Sequence, residues 1–152
     1  MENNPSHVRQ KILSEHNALR KMIAELREHT SKGVQNQDFS PEKIRKQMLA
    51  TLNFLQTHMD HEDNTLLPIL ETIDAWGNVR GEKFREEHRL QTQKIVQLRA
   101  EIANPNSALP QLISLVEEFI TWITQDMTDE EKEFLDHELL KDDLVISDYF
   151  GG

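Results

Sequence analysis

Apolar side chains recur at steps of three and four residues along four long stretches of this chain, and each series is interrupted by an ionisable residue where leucine would be expected. The series are Ile12, His16, Leu19, Ile23; then Leu55, His58, Glu62, Leu66; then Phe84, His88, Gln91, Ile95, Leu98, Ile102; then Leu112, Val116, Phe119, Ile123, Asp126, Glu130. Such steps follow the 3.6-residue turn, so each stretch is predicted as an amphipathic helix with its ionisable residues facing inward. Asn4-Pro5 and Ser40-Pro41 each pair a capping side chain with proline at the first helical position. The first helix is expected to fade at Thr30-Ser31-Lys32-Gly33. In the second, Pro68 predicts a kink or break, because proline removes a backbone donor. An apolar extension over 69–73 then leads to a turn at Trp76-Gly77-Asn78. The third helix should run from about Glu82 to Ala103, and the fourth from 107–110 to about Leu140. A short extended piece is expected at 144–146.

Four helices joined by short polar loops predict an all-α, up-down-up-down four-helix bundle over residues 1–141. A C-terminal tail, 142–152, acidic and apolar by turns, follows it. The chain has 152 residues, enough for one compact domain with its own core. It has no cysteine, which excludes disulfides, thiolate metal sites and cysteine nucleophiles. A net charge of −10 makes nucleic acid a poor partner. No apolar run approaches the ~20 residues that a membrane helix needs. The N-terminal residues carry no basic flank or apolar segment of a secretory signal. The expectation is a soluble, cytoplasmic protein.

Burying the stripe residues unpaired would cost several kcal/mol each. A bound cation reverses that cost. Imidazole nitrogen with carboxylate oxygen suits iron, manganese or zinc. His58 with Glu62, and Asp126 with Glu130, are i, i+4 pairs, each presenting two donors on one helical face. His16 and His88 would complete the shell from the other two helices. His61 and Glu131 each stand one residue from a predicted ligand; with Gln91 they are second-tier candidates, as ligands or as supports for ligands. His7, His29 and His137 are expected at the surface. Trp76, Trp122, Phe54 and Phe84 are expected to pack.

The segment His58-Met59-Asp60-His61-Glu62-Asp63-Asn64-Thr65-Leu66-Leu67-Pro68 resembles the hemerythrin-like (HHE) cation-binding signature, H-x-x-x-E followed by an acidic residue, two apolar residues and proline. Glu15-His16-Asn17-Ala18-Leu19 is similar to that family's first-helix motif, and Glu87-His88-Arg89-Leu90 to its third. Asp126-Met127-Thr128-Asp129-Glu130-Glu131 sits where the family repeats H-x-x-x-E-E. The resemblance implies a bundle around a non-haem di-iron centre, bridged by two carboxylates and an oxo or hydroxo group. It further implies His16, His58, Glu62, His88 and Glu130 as ligands. Family members bind oxygen, respond to nitric oxide or redox state, sense or store iron, or help repair iron centres. This chain departs from the pattern at two positions. Asp126 replaces the fourth-helix histidine, and Thr92 stands where oxygen carriers have another. These departures argue against reversible oxygen carriage and for a lopsided centre, with Asp126 a sixth candidate ligand.

The chain holds no Ser-His-Asp arrangement, phosphate loop or nucleotide motif. The expectation is therefore not a conventional enzyme but a metal protein, with weak redox activity at most, that binds or responds to a small diatomic or peroxide. An iron sensor or buffer, and a metal-free interaction module on the same scaffold with an unknown protein partner, are the alternatives.

Overall fold

The computed structural model describes residues 4–36 and 40–142. In chain order these form α1 (Pro5–Asn36), α2 (Pro41–His61), α3 (Leu67–Thr72), α4 (Gly77–Ile102) and α5 (Leu109–Glu133). A π-helical turn, Glu62–Leu66, joins α2 to α3. The α2–π–α3 rod counts as one member, so four helices pack against one another as the spacing predicts. Capping follows the expected chemistry at two starts. Asn4 Oδ1 accepts from the His7 amide at 2.9 Å, and Ser40 Oγ accepts from the Lys43 amide at 3.3 Å.

Boundaries differ from expectation at four places. First, α1 runs through 30–33 to Asn36, with the Thr30 hydroxyl satisfied inside the helix by the Leu26 carbonyl at 2.7 Å. Second, of the kink or break expected at Pro68, no break occurs, and the α-helical pattern changes just before it. The π turn precedes it, with the Leu67 amide bonded to the Glu62 carbonyl one residue beyond α-helical range. Third, α4 starts at Gly77, where a Cβ would lie 1.8 Å from the Glu71 carbonyl oxygen; only glycine lets the two helices approach so closely. The Arg80 guanidinium clamps this corner, donating twice to Asp74 at 3.0 Å and once to the Leu70 carbonyl at 3.1 Å. Fourth, α5 stops at Glu133, and Asp136 Oδ1 accepts from the Glu138 amide at 2.7 Å in the turn that follows.

The π turn also explains the rod's stripe. His58, Glu62, Leu66 and Leu70 are all buried at successive steps of four. In a pure α-helix each such step overshoots the turn by about 40°, so the stripe would wander off the core. A wider turn at 62–66 holds all four side chains to one side.

Two apolar clusters fill the bundle. One contains Leu19, Leu52, Leu55, Ile95, Leu98, Phe119 and Ile123; the other contains Ile12, Leu66, Leu70, Phe84, Phe134 and Leu140. The second is sealed by the segment after α5, whose Asp142 accepts from the Ser6 amide at 3.0 Å and hydroxyl at 2.5 Å. Phe84, Trp122 and Phe54 pack as expected, but Trp76 does not: it lies 70% exposed on the α3–α4 corner. Among the described residues, no helix is long and apolar enough to cross a membrane. The extended piece expected at 144–146 lies outside the described residues.

Candidate metal centre

Between the two apolar clusters lies a polar layer of His16, His58, Glu62, His88 and Glu130, none more than 6% exposed. Four helical rods contribute to it: α1, the α2–π–α3 rod, α4 and α5. The His16 and His58 rings meet with their Nε2 atoms 3.1 Å apart. His16 Nε2 is also 3.0 Å from Glu130 Oε1, and His58 Nε2 is 3.1 Å from Glu62 Oε1. One donor atom from each of these four residues lies within 4.8 Å of all the others. His88 joins through Glu62, its Nε2 3.4 Å from Oε1.

The outer edge of each ring decides what the inner edge can do. His16 Nδ1 donates to Glu131 Oε2 at 2.7 Å, His58 Nδ1 to Glu15 Oε1 at 2.8 Å, and His88 Nδ1 to Asp63 Oδ1 at 2.7 Å. An ionised carboxylate only accepts, so each Nδ1 must carry hydrogen. In the neutral imidazoles, all three Nε2 lone pairs then point into the layer, two of them toward each other. Glu62 adds two buried oxygens that make no hydrogen bond, and His88 Nε2 makes none either. Lone pairs so gathered repel unless a proton or a metal ion sits among them.

The proton affinities express the same conflict. Burial alone would lower the His58 imidazole, but the carboxylates of Glu130, Glu15 and Glu62 around it push it up to about 12. His16 and His88 move the same way: burial is outweighed by Glu130 for the first and by Glu62 for the second. Burial, then the neighbouring Glu130 charge, raises Glu62 to about 7. Burial acts against the Glu130 charge too, yet close polar contact with Glu62, His16 and His58 holds that carboxyl below its ordinary range. Without a metal, the layer keeps protons that a cation would displace.

The donor set fits a first-row metal ion. Ligand bonds of about 2.1 Å at right angles place neighbouring ligand atoms about 3.0 Å apart. Three separations, His16–His58, His16–Glu130 and His58–Glu62, match that edge at 3.0–3.1 Å, while His58 Nε2 and Glu130 Oε1 stand 3.8 Å apart.

The other sequence candidates fall outside this group of four. Asp126 is half-buried, and its carboxylate accepts a hydrogen bond from the Gln91 side chain. It lines a cleft of about 230 Å³ with Gln91, Glu87 and Trp122. Burial, then the charges of Glu130, Glu87 and Glu62, raise its carboxyl to about 7. Thr92 is exposed, its hydroxyl turned back to the His88 carbonyl at 2.8 Å. Glu131 holds the outer edge of His16, and His61 donates from Nδ1 to Glu15 Oε2 at 2.6 Å. His7 and His137 are exposed, whereas His29 is half-buried. Sequence reasoning missed Glu15 and Asp63. The available signal was their adjacency to His16 and Glu62.

Residues 7–137 match the family model described as the hemerythrin HHE cation binding domain. No curated protein and no solved structure matches the chain significantly.

Proposed function

Because the chain belongs to the hemerythrin HHE cation-binding family, we propose that it is a non-haem iron protein whose polar layer holds two ions unequally and thereby binds or responds to oxygen, nitric oxide, peroxide or redox state. The tighter site would use His16, His58, Glu62 and Glu130. The looser one would use His88 with the two glutamates, and Asp126 once its carboxylate leaves Gln91. The observation that carries this reading is the set of buried ligand-type atoms that have no hydrogen-bond partner: both Glu62 oxygens and His88 Nε2. Manganese and zinc accept the same donors.

Iron held here would supply one-electron chemistry and a coordination position for a small molecule. The protein's own part is to orient and to exclude. Glu131, Glu15 and Asp63 fix the ring tautomers. The apolar clusters on either side limit water. Asp126 and Gln91 line the cleft beside the looser site.

An iron sensor or buffer is the second reading, favoured by the burial of Glu62 without a hydrogen-bond partner. Metal would stabilise the folded state by mass action, about 2.7 kcal/mol at a hundred times Kd. For a domain of this size that raises Tm by roughly 5–10 °C. Anaerobic addition of Fe(II) to the metal-free chain, followed by metal analysis and a melting curve, tests both readings. Uptake with a visible-absorption change on exposure to oxygen or nitric oxide supports the first. Uptake with a rise in Tm and no response to either gas supports the second. No uptake contradicts both.

A further inference from the structure

Each inward-facing imidazole is backed by a carboxylate, and the three carboxylates are placed differently. Glu15 is the most enclosed, its side chain 16% exposed, and it spans His58 and His61. Glu131 is 28% exposed, and the oxygen that holds His16 Nδ1 also accepts from Arg20 Nη2 at 2.8 Å. Asp63 is 48% exposed and holds His88 Nδ1.

Orienting an imidazole needs only an acceptor; a backbone carbonyl or an amide would do. Three full negative charges do more. With Glu62 and Glu130, five carboxylates bear on one small layer, and Arg20 is a cation paired with one of them. We propose that these outer carboxylates set the valence the centre prefers, trivalent over divalent, with Glu15 contributing most and Arg20 opposing through Glu131. This rests on the reading that the layer holds metal.

The physical reason is Coulombic. A unit negative charge one imidazole ring away from an ion acts on every unit of that ion's charge. Across about 7 Å at an effective dielectric near 20, the third unit of charge favours the trivalent ion by roughly ten- to fifty-fold. Solvent screening weakens the effect at Asp63, and Arg20 offsets it at Glu131. Glu15, the least exposed of the three, keeps the largest share. The predicted order is therefore Glu15, then Glu131, then Asp63.

The test uses the full chain and two redox-inert probes, Ga3+ and Zn2+, titrated in competition with a chelator. Glu15→Gln, Glu131→Gln and Asp63→Asn each keep an acceptor oxygen for the ring and lose the charge. The ratio of Ga3+ to Zn2+ affinity should fall at least about tenfold for Glu15→Gln, less for Glu131→Gln and least for Asp63→Asn. Arg20→Leu unmasks Glu131 and should raise the ratio, a sign that loss of structure would not produce. Equal loss of both ions at constant ratio across the carboxylate variants, or a lower ratio in Arg20→Leu, overturns the proposal. If Glu15→Gln does not fold, the surface variants Asp63→Asn and Arg20→Leu still decide the sign. Wild-type chain that takes up neither ion would instead overturn the metal reading beneath it.

Discussion

On the α1–α2 side of the polar layer two imidazoles face each other across 3.1 Å, with a glutamate oxygen 3.0–3.1 Å from each. On the α4–α5 side His88 stands alone, and its nearest carboxylate contact inside the layer is 3.4 Å. There Thr92 turns to its own backbone and Asp126 to Gln91. One bundle with one spacing rule thus gives the polar layer two sides of different completeness. Helical periodicity sets which faces meet. In the proposed function, the residue type at each meeting point would set how firmly an ion is held.

The largest expected effect comes from the residue both sides share. Glu62→Ala should abolish loading at one ion or more, and added Fe(II) should raise Tm less in this variant than in the wild type. Metal analysis with paired melting curves checks this; undiminished loading would remove Glu62 from the site. His137→Ala, at an exposed position, should load normally.

Next comes the contrast between the two sides. His16→Ala should weaken the tighter ion by a hundredfold or more, because it removes a ligand and leaves Glu130 with one fewer partner. His88→Ala should leave that ion in place and reduce only the second. Stepwise titration separates the two outcomes, and equal losses would erase the asymmetry.

A smaller effect follows from pH. The Asp126 carboxyl moves from 3.8 to about 7 in the folded chain, through burial and then the charges of Glu130, Glu87 and Glu62. A carboxyl with a raised folded-state pKa favours folding most when protonated. Its contribution is complete below about pH 3.8 and is lost as pH rises through about 7. Asp126→Asn keeps an acceptor for Gln91 and cannot ionise. The metal-free variant should therefore exceed the wild type by about 1–2 kcal/mol at pH 8, with the gap closing toward pH 4. Urea midpoints at the two pH values measure it. A gap that widens on acidification would contradict the assignment.

The smallest effect belongs to Thr92→Ala, which should change stability by less than about 0.5 kcal/mol and leave metal content intact.

How much of this was legible in the sequence differs by kind of residue. Steps of three and four named every member of the buried layer, because burial follows the helical period: His16, His58, Glu62, His88 and Glu130 all fall on their stripes. Asp126 falls on its stripe too, yet it is half-buried at the cleft, and periodicity does not distinguish a stripe's centre from its edge. Glu15 and Asp63 lie off the stripes and reach sideways to rings on other helices. A one-dimensional period carries no information about that lateral reach. The π turn was not read from the sequence, although His58, Glu62, Leu66 and Leu70 stand at steps of four. The start of α4 and the end of α5 depend on a close glycine approach and an aspartate turn, which the helical period does not encode.

X-ray absorption at the iron edge of the reconstituted protein reads the ligand shell itself. Iron should be bound in a nitrogen and oxygen shell near 2.1 Å, with the outer-shell scattering of two or three imidazoles per chain. Iron surrounded by oxygen alone, or absent from the protein after reconstitution, would contradict it.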